Sequence, residues 1–153
     1  DIVAVQKHLL RPFVHLATIS SGDENIDAEM RVYCAYSLPA VILLLSNEGW
    51  KMSLRECFLA LVTGIQSGKS NNSSQNITVP LPVKRCLASS FHTVCQIIGP
   101  EAMIGTTKEQ DTGRDLISVF QTHFLRDTDD TVRLNIIRNL PSILALLPSK
   151  EKN

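Results

Sequence analysis

The amino-acid sequence predicts an all-α chain built from paired helices. Three observations carry that expectation. Hydrophobic residues make up 44% of the 153 residues but aromatics only 5%, so the core is aliphatic, which suits helices packed on helices. Three segments carry the same five-rung apolar ladder, stepping four, four, three and four residues, which lays one stripe along a helix. Upstream of each ladder lies a shorter apolar pattern fit for a partner helix, and no segment alternates as a strand would.

The ladders define the second helix of each pair. They are Met30, Cys34, Leu38, Val41, Leu45; then Val83, Leu87, Phe91, Val94, Ile98; then Val132, Ile136, Leu140, Ile143, Leu147. Their starts lie 53 and 49 residues apart, and a basic residue follows the first rung each time: Arg31, Lys84 and Arg133. These helices are placed at 27–46, 80–98 and 129–147. The first helix of each pair reads Leu-x3-Phe-x2-Leu: Leu9, Phe13, Leu16; Leu54, Phe58, Leu61; and Leu116, Phe120 with His123 in the third slot. That places first helices at 1–19, 50–66 and 112–126. Pro39 and Pro141 share one slot of two ladders, where a missing backbone donor predicts a bend in each.

Self-similar helical pairs cannot bury their apolar faces alone and stack into arrays. The expected organisation is therefore an α-solenoid of about three helical hairpins, at 1–46, 50–98 and 112–147. The middle hairpin carries an inserted loop at 67–80, rich in Ser and Asn and too polar to bury itself. Gly99 to Gly113 reads as a second insertion, again a loop. The third hairpin turns tightly through Arg126-Asp127-Thr128-Asp129-Asp130, which sets a carboxylate at the start of the following helix. With Asp1 first and Lys150-Glu151-Lys152-Asn153 last, and no signal peptide, the chain reads as a segment of something longer.

Several function classes are disfavoured. Fifteen Lys+Arg balance fifteen Asp+Glu, so net charge is zero, which argues against gripping nucleic acid or an anionic membrane. No apolar run approaches the roughly 20 residues that span a bilayer. Cys34, Cys57, Cys86 and Cys95 form no CxxC pair and sit in apolar segments, as reduced core thiols of a cytoplasmic or nuclear protein do. Gly64 to Ser70 imitates a phosphate loop, but three residues rather than four separate its glycines and it follows a helix. Asn71, Asn72 and Asn76 open formal glycosylation sequons inside the polar loop. His8, His15, His92 and His123 show neither HExxH nor zinc-ligand spacing, and no GxSxG occurs. The expectation is no enzyme, no cofactor and no metal.

Asp129-Asp130-Thr131-Val132-Arg133 with Leu140-Pro141 resembles the HEAT repeat, a helical hairpin with an acidic turn and Val-Arg opening its second helix. Val83-Lys84-Arg85-Cys86-Leu87-Ala88 followed by Ile97-Ile98-Gly99, and Met30-Arg31-Val32 with Leu38-Pro39, are similar to HEAT-repeat scaffold and regulatory subunits of serine/threonine protein phosphatases, of the protein phosphatase 2A and 4 type. The resemblance covers all three pairs. It implies a non-catalytic scaffold that holds a phosphatase catalytic subunit through its intra-repeat turns. The residues this singles out are Asp23 and Glu24, then Arg126, Asp127, Asp129 and Asp130. The alternative is another HEAT-array adaptor, karyopherin-like or tubulin-binding. Acidic turns, and Trp50 placed ahead of a first helix, count against tubulin.

Overall fold

A computed structural model describes residues 2–64 and 78–148. Among the described residues every regular element is helical, as the ladders require. Most of the expected loop at 67–80, with its sequons and the phosphate-loop imitation, lies outside the described residues. The chain divides into two compact units, 1–87 and 88–153.

The first unit begins with α1 (Ile2–Val5), a π-helical turn at Gln6–Leu10 and α2 (Arg11–Ala17). Pro12, which has no N–H to donate, sits where the π turn gives way to α2. The chain then doubles back. Ser21 N–H donates to Asp27, Arg31 donates to the Ile19 carbonyl at 3.0 Å, and the Cys34 thiol approaches the Phe13 carbonyl at 3.9 Å. These three links run outward in step from the turn, which defines a helical hairpin between α2 and α3 (Glu24–Gly49). Asp23 starts α3 by accepting from the N–H groups of Asn25 and Ile26.

Helical dihedrals run through Pro39, but α3 is broken at Ser46, with φ 56° and ψ −161°. Beyond the break a second π turn, Trp50–Leu54, leads into α4 (Arg55–Thr63), which Gly64 ends in the left-handed conformation. The inner rungs Cys34, Leu38 and Val41 are buried against these neighbours, and Met30 and Leu45 are half-buried.

The upstream pattern needs a correction. Leu16 is 39% exposed and Leu9 half-buried, while Leu10, Phe13 and Ala17 are buried. Both π turns end on the first buried leucine, Leu10 and Leu54, so Leu10 and not Leu9 matches Leu54. An ideal helical period misjudges the phase by one residue because the π turn takes up an extra one. Trp50, expected ahead of a first helix, lies inside the helical run and is buried against Phe58, with ring centroids 5.9 Å apart.

α5 (Leu81–Ile104) carries the second ladder, and all five rungs are buried. It is broken at Gly99, with φ 82° and ψ 170°. Ser46 and Gly99 each follow the last rung of a ladder and adopt nearly the same backbone, a region that glycine alone enters at little cost. We predict that Ser46→Gly raises the unfolding free energy by roughly 1 kcal/mol. Relief of about 1–3 kcal/mol of backbone strain would exceed the glycine's entropic cost of about 0.5–1 kcal/mol. Gly99→Ala should do the reverse, and chemical denaturation of both variants checks the pair.

In the second unit, the stretch expected as a loop is partly helical. α5 continues to Ile104, and α6 (Thr107–Asp111) follows. Its start is a capping box: Glu109 N–H donates to Thr106 Oγ1 and Thr106 N–H to Glu109 Oε2. Threonine three residues before glutamate signals that box, and the reading by ladders passed over it. α7 (Leu116–Val119) runs into a third π turn, Phe120–Phe124, then α8 (Asp130–Arg138) and α9 (Leu140–Leu144). Here Phe124 is buried, while Phe120 and His123 are half-buried; the π turn again rotates the later residues. Phe91, Phe120 and Phe124 form one aromatic cluster, with Phe91 5.8 Å and 5.2 Å from the other two ring centroids. At Pro141 the helix is interrupted, with Asn139 ending α8 and Leu140 opening α9. The shared proline slot thus gives a break in one ladder and none in the other.

Candidate functional site

The residues singled out for partner contact lie in two turns, one in each unit. In the first turn Asp23 and Glu24 are both exposed. Asp23 Oδ1 is engaged as the cap of α3, accepting from Asn25 N–H at 2.9 Å and Ile26 N–H at 3.3 Å. Glu24 opens the same helix and suits its positive end. Behind them sits Asp27, a buried carboxylate whose two oxygens accept from Ser21 N–H at 3.0 and 3.1 Å. Side-chain and backbone hydrogen bonds from Ser21 hold its carboxyl below the usual carboxylate range, and the Arg31 guanidinium adds to this.

A depressed folded pKa contributes stability above the unfolded value, about 3.8, and that contribution disappears as pH falls through the folded value. The stability advantage of the native protein over Asp27→Asn should therefore be full near neutrality and shrink below about pH 4. Melting curves of the two proteins across that range measure it. A gap that stays constant on acidification contradicts the assignment.

In the second turn Asp129 caps α8, accepting from Val132 N–H at 2.9 Å, and Asp127 Oδ1 accepts from Asp129 N–H at 2.9 Å. Arg133 donates to the Asp127 carbonyl at 2.6 Å and pairs with Asp130. Arg126 is exposed beside them. One device recurs in both turns: the arginine after the first rung, Arg31 or Arg133, reaches back to a turn carbonyl, Ile19 or Asp127. Asp23, Asp127 and Asp129 therefore shape their turns. Glu24 and Arg126 present charge outward, and Asp130 does so while paired.

Reading one ladder per helix missed another kind of surface. On α3, Tyr33, Tyr36, Leu43 and Leu44 are exposed, Tyr36 by 79%. They recur at helical spacing away from the ladder, so α3 is apolar on two faces. Exposed tyrosine and leucine thus form one apolar stripe on the surface of this unit. A second stripe lies in α8 and α9, where Leu134, Ile137 and Leu144 are exposed. The positions matching Ile137 and Leu144 in the other ladders, Ala35 and Ile42, then Ala88 and Cys95, are all buried. The signal was present in the sequence as a second set of apolar residues outside each ladder.

The expectation that nothing is apolar enough to cross a membrane also needs correcting. The helical run Glu24–Thr63 reaches a mean hydropathy of 1.4 over 18 residues. Counting unbroken apolar runs missed it, because Arg31, Ser37 and Pro39 interrupt the run without lowering the average enough. Ser46 interrupts the run after Leu45, and 28% of the apolar stretch is buried.

The thiols carry no reactive signature. All four cysteines are free. Burial pushes Cys34 up to about 11 and Cys95 to about 12; for Cys57 burial and then the nearby Cys34 raise it to about 12. Burial also raises Cys86. A thiol held this high stays protonated near neutrality and is a poor nucleophile.

The fold and these turns together place the chain in the all-α class, with capped acidic turns and exposed apolar helix faces among the described residues. Comparison with curated proteins then points to particular relatives. The chain is 32% identical over 130 residues to serine/threonine-protein phosphatase 4 regulatory subunit 1 of Homo sapiens, and equally to the proteins of that name from Mus musculus and Rattus norvegicus. The match takes in 85% of this chain but 11% of each relative, so the chain spans about a ninth of their length. The chain is thus related to this phosphatase regulatory subunit, as its ladders and turns suggested. No protein-family model and no solved structure matches it.

Proposed function

We propose that the chain is a HEAT-type segment of a non-catalytic regulatory subunit that binds a serine/threonine phosphatase catalytic subunit. The observation that carries this reading is the 32% identity, over 85% of the chain, to a phosphatase 4 regulatory subunit. The recurring arginine-to-turn hydrogen bond and the capping aspartates support it, because they hold the turns in fixed shape at the same place in two ladders. In this reading the hairpins at 1–46, 50–98 and 112–147 stack as a short α-solenoid. The turns bearing Asp23, Glu24, Arg126, Asp127, Asp129 and Asp130 contact the catalytic subunit. The exposed stripe of α3 takes substrates or a further subunit. The segment supplies position: it brings a substrate to the catalytic subunit and orients the two, while the metal-assisted hydrolysis belongs to the catalytic subunit. Four cysteines that form no disulfide suit a reducing cytoplasmic or nuclear setting.

Affinity capture from cell extract with the tagged chain, followed by mass spectrometry, tests the class of partner. Recovery of a phosphatase catalytic subunit above a Glu24→Lys/Arg126→Glu control is the expected result. Recovery of tubulin or transport cargo in its place would establish a different kind of adaptor.

A further inference from the structure

The first helical run of the chain, residues 2–17, contains no aspartate or glutamate. Its ionisable residues are Lys7, His8, Arg11 and His15. Lys7, Arg11 and His15 recur every four residues, so they form one ridge along the helix, and all three are exposed. Beside that ridge runs an apolar one that includes buried Leu10 and half-buried Val14. Across from both, Met52 on the π turn before α4 is 56% exposed. Together these residues line an open cleft of about 550 Å³ within the first unit.

Charge is balanced over the whole chain but segregated here. Among the described residues neither Lys7 nor Arg11 makes an ion pair. Past the break at Ser46, the acidic residues up to Thr63 are Glu48 and Glu56; Glu56 pairs with Arg55, and neither lines the cleft. Lys51, exposed next to Met52, adds another cation. A cleft with an apolar floor and a one-signed polar edge is the complement of an amphipathic helix of opposite charge.

We infer that this cleft docks an acidic amphipathic helix from a partner protein. Such a helix would lay leucine-like side chains against Leu10, Val14 and Met52 and align carboxylates with Lys7, Arg11 and His15. The ridge from Lys7 to His15 covers about 12 Å, so two to three turns of partner helix suffice. This surface is separate from the turns assigned to the phosphatase, and either reading can fail without the other.

The test is fluorescence anisotropy with the 153-residue protein and labelled synthetic peptides of about four helical turns. One peptide carries leucine at alternating three- and four-residue steps flanked by glutamate; the other has every glutamate replaced by lysine. Vesicles containing phosphatidylserine form a third arm. The acidic peptide should bind at least about tenfold more tightly than its lysine counterpart, and more weakly as salt rises. Lys7→Glu/Arg11→Glu should invert the preference. Met52→Glu should weaken the acidic peptide while circular dichroism stays native. Equal affinity for the two peptides, no binding of the acidic one, or a charge reversal without effect would overturn the inference. Binding to vesicles without binding to the acidic peptide would overturn it as well.

Discussion

Replacing Phe91 by alanine is expected to lower the unfolding free energy by about 3–5 kcal/mol. Phe91 is the middle rung of the second ladder, is 1% exposed, and contacts Phe120 and Phe124 at once. Truncation removes its transfer free energy and leaves a cavity that neither neighbour can fill without leaving its own place. Loss of two aromatic contacts adds about 0.5–1.5 kcal/mol each within that total. Urea titration followed by circular dichroism measures the effect. Phe91→Leu, which keeps most of the volume, should cost markedly less, and equal costs would mean that Phe91 is not central to this core.

Phe58→Ala should cost a similar amount in the first unit, about 3–5 kcal/mol. Phe58 is fully buried and packs on Trp50, itself buried. Trp50 offers a specific readout, since its emission should shift to longer wavelength in native Phe58→Ala as water enters the space the ring vacated. Phe91→Ala removes a side chain from the other unit and should leave that emission unchanged. A red shift in both variants, or in neither, would contradict the assignment of Trp50 and Phe58 to one core.

Helical class and ladder positions were legible because they rest on a strong local signal, a buried stripe at fixed period. Val83, Leu87, Phe91, Val94 and Ile98 are all buried as read. The phase of the upstream helices was less legible. A π turn leaves no mark in an apolar pattern, so Leu9 was read for Leu10 and His123 for Phe124. The break at Ser46 was hidden because serine does not advertise a positive φ, whereas Gly99, in the matching place, could have pointed to it. In the turns, acidic residues were visible, but not which of them cap helices and which face outward. That division depends on where each helix starts, and a boundary error of one residue reassigns the cap. The basic ridge of Lys7, Arg11 and His15 was present as a four-residue spacing, yet its meaning depends on Met52, brought alongside only by folding.

In the proposed function, outward-facing charge in the turns contributes to holding a phosphatase catalytic subunit. Titration of the purified chain into purified phosphatase 4 catalytic subunit, by calorimetry, tests it most directly. The expected result is saturable binding that Glu24→Lys/Arg126→Glu weakens at least about tenfold, while the melting temperature of the variant stays native. Saturable binding that the double variant leaves unchanged, or no binding to the catalytic subunit by a fully folded chain, would contradict it.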